Sequence, residues 1–467
     1  MSAHTEDRPL LSIVLAAGKG TRMRSATPKV LHEIGGRSML EHVLALTQTV
    51  SDSRATHCAV VIGPDMAPVQ ERVQAGVPTA DIFIQEHQAG TGDAVRAAGP
   101  VLTGRDGVVV VLFADTPLIT PATVGRLVAA IDAGAQVAVL GFEAADPTGY
   151  GRLLVDDTAA STHEAKPLRA IREHKDATAQ ERAQTLCNAG IMAFSAAHLP
   201  RLLASLTNDN ANNEFYLTDT VEHAIAAGLT AVAMTAPEAE TMGVNTRVQL
   251  ADAEAVFQAR MREAQMLAGV TMRAPDTVYF SFDTILGQDC TLEPNVWFGP
   301  GVTLGDNVTV RANSHLEGAQ VASGSSVGPF ARLRPGARLA EGVKIGNFTE
   351  IKGAELGAGS KVPHLSYVGD ATVGAGANIG AGTITCNYDG FFKHRTTIGD
   401  GAFIGSNSSL VAPVTIGPGA YVGSGSVISK NVAADDLSLA RAEQSSRTGW
   451  AGKFRARMQR IKAERQG

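Results

Sequence analysis

Aliphatic residues recur every six positions through the second half of the chain. Leu286, Leu292, Phe298, Leu304, Val310 and Leu316 fall six apart, and after a five-residue step the count resumes at Val321, Val327, Leu333, Leu339, Ile345 and Ile351. It continues through Leu356, Val362 and Val368, then Val373 and Ile379, and returns after an excursion as Ile398, Ile404, Leu410, Ile416, Val422 and Ile428. All 23 positions are Leu, Ile, Val or Phe; glycine follows directly at 13 of them, and small residues dominate four places on. A period of six is neither helical nor simple strand alternation. It predicts short strands joined by tight corners, one aliphatic side chain per side pointing into a prismatic core, with coils stacked as a solenoid. Glycine is expected to let the corners reach backbone angles other residues avoid. Five-residue steps clip a corner, and the stretch between Ile379 and Ile398 must expel a loop.

The first half reads differently. Leu11-Ser12-Ile13-Val14-Leu15, Cys58-Ala59-Val60-Val61-Ile62 and the run from Val108 to Phe113 are near-continuously apolar, as strands covered on both faces are. Between them, 39–49 and 120–133 have helical periodicity. This alternation predicts an α/β domain with a parallel, doubly wound sheet over residues 1–245. Leu250, Ala253, Phe257, Met261, Ala264 and Ala268 keep a 3–4 spacing with no Gly or Pro before Gly269, so 246–268 reads as one long connecting helix. The solenoid is expected over 269–449. Residues 450–467, with six Lys/Arg and one Glu, read as a solvated mobile tail in preference to a binding arm.

Composition narrows the field. Of 467 residues 44% are hydrophobic, enough for real cores, and 40 Lys+Arg against 46 Asp+Glu give a net charge of −6, no field for grasping nucleic acid. Of the 49 glycines, 26 lie between 281 and 430, so the excess belongs to the solenoid. Cys58, Cys187, Cys290 and Cys386 stand about a hundred residues apart without a CxxC pair, arguing against disulfide staples and zinc. Met1 to Pro9 carries Glu6 and Asp7 and no basic n-region, so a secretory signal is not expected, and no run is long enough for a membrane span. A cytoplasmic protein is expected.

Candidate chemistry in the first half begins at the end of the first strand, in Leu15-Ala16-Ala17-Gly18-Lys19-Gly20-Thr21-Arg22-Met23 followed by Pro28-Lys29. It is neither a Walker loop nor a dinucleotide fingerprint. A Gly-rich turn there exposes N–H groups to a phosphate, and Arg22 and Lys29 add positive charge where a triphosphate would sit. The glycine spacing alone fits a plain strand-to-helix turn equally well. The whole string is more specific and resembles the sugar-phosphate nucleotidyltransferase signature. Gln85 and Gly90-Thr91-Gly92 supply donors suited to a pyrimidine edge, although alone they are another turn. Asp115, ending the Val108–Phe113 strand, stands where open α/β sheets bind ligands. With Asn245 as oxygen partner it suits a hard Mg²⁺ that keeps several waters; alone it reads equally as a helix cap.

In the second half, bulky polar residues interrupt the hexads: Arg332 and Arg334, Lys352, His364 and Tyr367, Asn378, and Asn387-Tyr388-Asp389 in the expelled loop. A solvated face accounts for the basic residues one by one, but their recurrence beside a histidine favours a site. Arg334 and Lys352 suit an anionic sugar phosphate. His364 is the general base available near neutral pH, able to take a proton from an amine attacking a thioester. His315, His364 and His394 are too far apart in sequence to seed a zinc site.

The hexads resemble the left-handed parallel β-helix of hexapeptide-repeat acyltransferases. Nearly the whole chain resembles the family of bifunctional bacterial N-acetylglucosamine-1-phosphate uridylyltransferases/glucosamine-1-phosphate acetyltransferases. That resemblance implies a Rossmann-like nucleotidyltransferase domain that uses UTP and Mg²⁺ to convert N-acetylglucosamine 1-phosphate to UDP-N-acetylglucosamine, a cell-wall precursor. It implies a β-helix that acetylates glucosamine 1-phosphate with acetyl-CoA, His364 being the base, and a homotrimer with acetyltransferase sites between neighbouring β-helices. Leu15, Ala16, Ala17, Gly18, Arg22, Lys29, Gln85, Gly90, Thr91 and Asp115 match nucleotide-site positions. The stretch Thr148 to Arg152 (with Gly151), Glu173-His174-Lys175, Asn188 and Gly243-Val244-Asn245 match sugar-binding positions, Asp115 and Asn245 being the metal pair. Arg334, Lys352, Tyr367, Asn378, Asn387 and Tyr388 match the second sugar-phosphate site; Ala381, Ser406, Ser424 and Arg441 match coenzyme A contacts. The chain departs from the family pattern at Ala114, expected to narrow the nucleotide's approach, at Pro363, expected to stiffen His364, and at Asn213 in place of Gly. The stretch 156–168 and the tail look longer than usual. The residues leave two rivals open: a single-activity nucleotidyltransferase with a β-helix used only for assembly or regulation, and a scaffold with both sites vestigial.

Overall fold

A computed structural model describes residues 8–50, 54–156 and 165–466. Most of the long stretch flagged at 156–168 therefore lies outside the described residues. The chain divides into two compact units, Met1–Glu263 with Phe280–Phe282, and Ala264–Tyr279 with Asp283–Gly467.

The first unit is built on nine strands: β1 Leu10–Leu15, β2 Thr56–Ile62, β3 Asp81–Ile84, β4 Val108–Phe113, β5 Val137–Glu143, β6 Arg152–Val155, β7 Lys166–Arg172, β8 Leu186–Ser195 and β9 Ala231–Thr235. They form one sheet in the order β3-β2-β1-β4-β8-β5-β9-β7-β6. The apolar runs pair in parallel as expected, with Leu15 opposite both Val61 and Phe113. Alternate residues supply opposite faces. Val14, Val60 and Val110 pack into one core, and Ile13, Val61 and Val111 into another. That two-sided burial is why these strands read as continuous rather than alternating.

The sheet is mixed rather than wholly parallel. β8 runs antiparallel to both β4 and β5, and β6 and β7 pair antiparallel at the far edge. The chain leaves β5 into that pair and returns as β8, whose register shifts between Asn188 and Met192. A β-bulge of this kind re-aims side chains. The helices at 39–49 and 120–133 are α1 Met39–Thr49, capped by the reciprocal Ser38–Glu41 box, and α2 Pro121–Asp132, whose Thr120 hydroxyl accepts from Thr123 N–H. The connecting helix is α3 Arg247–Leu267. Its Ala253, Leu250 and Phe257 pack with Ile34, Met39 and Leu118, whereas Ala264 and Ala268, also read as part of its apolar face, are exposed.

The second unit is a parallel β-helix of three sheets, of ten, eight and eight strands, each strand pairing with the equivalent strand one coil on. Of the 23 hexad positions, 22 are buried; Leu286, in an opening coil, is half-buried. The small residues four places on line the same interior: Ala337, Ser360, Ala377, Thr383 and Ala402 are at most 1% exposed. Inward Ser408 and Ser426 donate to the carbonyls of Gly405 and Gly423 at 2.6 Å, which satisfies buried hydroxyls.

The glycines divide the work differently from the expectation. Those directly after the hexad residue serve close approach between coils: a Cβ on Gly357 would lie 2.6 Å from Ala375 N, and one on Gly380 2.6 Å from Ile404 O. The left-handed turn falls two residues later in a six-residue step, and glycine does not own it. Along one edge it is taken by Asp289, Asn307, Gly324, Gly342, Gly359 and Gly376; along the next, by Asn295, Asn313, Phe330, Phe348 and Leu365. Asn and Asp tolerate this conformation. Phe330 and Phe348 do so while stacked at 5.1 Å.

The excursion after Ile379 hides one further strand. Ile384–Cys386 keeps the register, with buried Thr385 in the inward place of an aliphatic. Its hydroxyl accepts from Gly369 N–H and donates to Gly369 O. Only then does the loop leave. The C-terminal segment, read as a mobile tail, is a helix, α4 Trp450–Glu464. Ala, Arg, Lys, Met and Glu are all strong helix formers.

The two classes of glycine separate by substitution. Gly357→Ala should destabilise by roughly 2–3 kcal/mol, because the added carbon meets backbone that cannot move away. Gly359→Asn, at φ +67° with open space around it, should stay within about 1 kcal/mol of the parent. Thermal unfolding of the two variants checks the order.

Candidate functional sites

The first site lies where β1 and β4 end. Because Leu15 and Phe113 are in register, the Ala16–Gly18 turn and Asp115 emerge side by side, at the carboxyl edge where such sheets bind ligands. A cavity of about 350 Å³ opens there. Leu15, Ala17, Gly18, Lys29, Gln85, Gly90, Thr91 and Asp115 line it, all of them expected from the sequence. Nothing lies within 4 Å of a Cβ built on exposed Gly18, which leaves room for an anion at the backbone.

Lys29 is 8% exposed, and its ammonium sits 2.5 Å from Asp115 Oδ2 and 3.0 Å from Asn245 Oδ1. Asn245 is carried to this point by the chain leaving β9: Val244 N–H donates to the Asp115 carbonyl at 2.9 Å, and Gln249 Oε1 accepts from Asn245 N–H. Two oxygens from residues distant in sequence thus converge on one charge. Among the described residues no group of three or more His, Cys, Asp or Glu could hold a metal ion. Asp115 and Asn245 together present a pair of hard oxygen donors.

The rest of the cavity wall is fastened to the segment before the 217–219 turn. Gly92 N–H donates to Phe215 O and Phe215 N–H to Ala89 O, both at 2.8 Å. A Cβ on Gly90 (φ +111°) would fall 2.6 Å from Phe215 O. Gln85, expected to offer donors, has its NH₂ on Gly90 O at 2.9 Å and Asp93 Oδ2 at 2.8 Å. Its carbonyl oxygen is what remains for a ligand.

Several expectations land elsewhere. Ala16 is buried, its N–H bonded to Val61 O. Arg22 is exposed on the short turn Thr21–Met23, outside the cavity lining. Ala114 does not narrow the cavity: its side chain is fully buried in the core beneath the sheet. Asn213 adopts φ +54°, a conformation Asn shares with Gly, which accounts for the exchange.

Gly151, Glu173 and Asn188 form a neighbouring group. Asn188 N–H donates to Gly151 O at 2.8 Å, and a Cβ on Gly151 would lie 3.3 Å from the Glu173 carboxylate. Asn188 Oδ1 accepts from Gly190 N–H within the bulge of β8. Burial pushes the Glu173 carboxyl above its ordinary value; the Thr218 hydroxyl, donating at 3.2 Å, partly offsets this. Gln88, Phe113 and Glu214 also line the cavity and were not singled out from sequence. Gln88 reaches it through a positive φ of 43° and a bond from its amide to Ala17 O; no spacing rule marks either feature.

In the β-helix, exposed His364 ends the strand Lys361–His364, opposite Asn347 one coil earlier. Its Nδ1 lies 2.6 Å from Asn347 Oδ1. An amide oxygen only accepts, so Nδ1 carries the hydrogen and Nε2 presents a lone pair to solvent. Asn347 escaped the sequence reading because its link to His364 exists only through coil stacking. Below His364 the same edge carries the expected coenzyme A residues one per coil: Gly382 N–H donates to His364 O, Asn407 N–H to Ala381 O, Gly425 N–H to Ser406 O, and the Arg441 guanidinium to Ser424 O.

The polar cluster occupies the adjoining face. Arg334 pairs with Glu350 at 2.8 Å, Lys352 Nζ lies 3.7 Å from Asp370 Oδ2, and Asn387 donates to Asp370 and to the Tyr367 hydroxyl. The hydrogen bond and charge of neighbouring Lys352 lower the Lys393 pKa, so a second lysine side chain adjoins the cluster. Tyr388 bridges to Lys393 in the expelled loop, the latter residue also unforeseen. Asn378 stands apart from this group, on His364's sheet and opposite Lys361.

Residues 12–179 match the MobA-like NTP transferase domain, 283–316 the hexapeptide repeat of succinyl-transferase, and 395–430 the bacterial transferase hexapeptide. A "Bifunctional protein GlmU" from Azorhizobium caulinodans is 57% identical over 450 residues, 96% of this chain and 98% of the relative. Proteins of the same name from Xanthobacter autotrophicus and Sphingopyxis alaskensis are 55% and 52% identical, covering 96% and 98% of this chain and 98% and 99% of theirs. A solved UDP-glucose pyrophosphorylase complexed with UDP-glucose is similar over 54% of this chain and 98% of its own, at 15% identity and a TM-score of 0.43.

Glu173 gives a pH test. Its raised pKa means the folded state binds the proton more tightly than the unfolded chain, so its contribution to stability is lost as pH rises from the ordinary carboxyl value. Glu173→Gln should melt with the parent near pH 4 and progressively above it as pH rises, the gap levelling once the folded-state carboxyl is ionised.

Proposed function

The chain belongs to the GlmU family of bifunctional enzymes, and from that premise we propose which residues carry each of its two activities. It is a transferase twice over: an acetyltransferase acting on glucosamine 1-phosphate with acetyl-CoA, and a uridylyltransferase acting on N-acetylglucosamine 1-phosphate with UTP.

For uridylyl transfer the cavity at the ends of β1 and β4 would hold UTP. The base would lie against Gln85, Gly90 and Thr91, and the phosphates against the Ala16–Gly18 turn and Lys29. The sugar phosphate would enter beside Gly151, Glu173 and Asn188. Its phosphate oxygen then bonds to the α-phosphorus while the bond to the β-phosphate breaks and pyrophosphate leaves. Arg22 would swing in from the exposed turn to meet the triphosphate. Asp115 and Asn245 would hold Mg²⁺, whose fit is supported by the two oxygens converging on one cation, the Lys29 ammonium. When bound, the ion would supply positive charge against that developing on the phosphates.

For acetyl transfer, His364 Nε2 would take the proton of the sugar amine as its nitrogen attacks the thioester carbonyl. The C–S bond then breaks, and coenzyme A leaves as a thiol once its sulfur is protonated. Asn347 holds the ring in the tautomer this needs. Arg334, Lys352, Tyr367, Asn387 and Tyr388 would bind the sugar phosphate and Asn378 would assist from the adjoining sheet. Ala381, Ser406, Ser424 and Arg441 would run along coenzyme A. The observation that carries the assignment is the 2.6 Å Asn347–His364 contact, which leaves a base facing solvent on an edge shared with the coenzyme residues. Polar residues split between an edge and a face suit a site completed by a neighbouring β-helix, in a homotrimer working in the cytoplasm. Among the described residues no helix is long and apolar enough to cross a membrane.

Separate assays test both assignments. His364→Ala should lower acetyl transfer by about 10²–10⁴-fold and leave uridylyl transfer to preformed N-acetylglucosamine 1-phosphate intact; Asp115→Asn should do the reverse. Asn347→Ala should lower acetyl-transfer kcat by a smaller factor than His364→Ala. Loss of both activities through one of these substitutions in a folded protein would overturn the two-site assignment.

A further inference from the structure

Lys29 is not where a free phosphate-binding lysine waits. Its side chain is 9% exposed, and the ammonium is held by Asp115 at 2.5 Å and Asn245 at 3.0 Å. The two partners are themselves tied together, because the Asp115 carbonyl accepts from Val244 N–H. A positive charge therefore already satisfies the oxygens assigned above to the metal. We propose that the Lys29 ammonium is a built-in stand-in for the divalent cation: without nucleotide it occupies the place between Asp115 and Asn245 and must leave before a metal ion enters. This rests on the assignment of Asp115 and Asn245 as the metal pair.

A divalent ion and an ammonium at one pair of oxygens repel each other, so metal entry alone drives the ammonium into a cavity whose lining carries one carboxylate, Glu214, besides Asp115. A triphosphate brings several negative charges to receive it. Lys29 lines the same cavity as Gly18, so a swing from Asp115 toward phosphate keeps the ammonium within reach of a negative charge while vacating the metal position. Nucleotide and metal are then coupled through one side chain. By linkage, each tightens the other by the same factor. The free enzyme has little affinity for the metal, and its two oxygens stay in place without one.

Mn²⁺ is the probe, with free ion counted by electron paramagnetic resonance during titration of the full-length protein. Wild type without nucleotide should bind Mn²⁺ weakly, and saturating UTP should tighten it at least tenfold beyond the Mn²⁺ that the same UTP removes in the absence of protein. Lys29→Met, or Lys29→Gln if the first variant melts early, should bind Mn²⁺ at least tenfold more tightly than wild type without UTP and gain much less from UTP. Nucleotide-free affinity no higher in these variants than in wild type overturns the stand-in. Adding Asp115→Asn to Lys29→Met should abolish the tight binding. If it does not, the metal-pair assignment fails instead.

Discussion

In-register parallel pairing is the constraint on which both units depend. A parallel ladder puts equivalent ends of neighbouring strands side by side, so whatever the chain carries just beyond one strand end is delivered next to whatever follows the other. In the first unit Leu15 opposite Phe113 places the Gly18 turn against Asp115. In the second, one coil of register sets Asn347 against His364 and lines His364, Ala381, Ser406 and Ser424 along one edge. The chemistry differs completely, yet the device that assembles it is the same.

That device demands that coils approach closely, and the glycines of the β-helix meet the demand at one position while the corner turn is made at another. The five-residue steps fit this division. Those leaving Leu316, Ile351 and Val368 all fall on the same edge, where Gly318, Gly353 and Asp370 make the left-handed turn one residue early. Asp370 then does a second job, receiving Lys352 and Asn387. A corner residue chosen for backbone conformation thereby orders the polar face.

The solenoid was legible almost coil by coil, because an aliphatic residue on every side of a prism leaves an imprint that no other fold shares. Three strands escaped the count: Thr271–Met272 and Leu437–Ser438 stand at its two ends, and Ile384–Cys386 turns inward with Thr385, which satisfies its hydroxyl locally and breaks the aliphatic run. The strands of the first unit were equally plain, their direction less so: nothing in the composition of β8 says that it returns antiparallel. Of the first cavity, the lining residues on the signature turn and strand ends were readable because a glycine-rich turn, a lysine and a strand-end carboxylate stand out in the sequence. Gln88 and Glu214 were not, since each reaches the cavity through a loop conformation. Lys393 and Asn347 were hidden for a further reason: each acquires meaning from a partner tens of residues away or a coil removed.

Both architectures and the identity of most candidate groups follow from the order of residues, because hydrophobic period and the residue types suited to phosphate, cation and thioester chemistry are local properties of the chain. Which groups meet is a matter of the folded chain. It set Lys29 between Asp115 and Asn245, turned the Gln85 amide inward, sank Ala114 into the core and gave His364 the neighbour that orients its ring. Those outcomes depend on strand register and on loops docking across long separations, and the energies involved belong to pairs of residues rather than to any one of them.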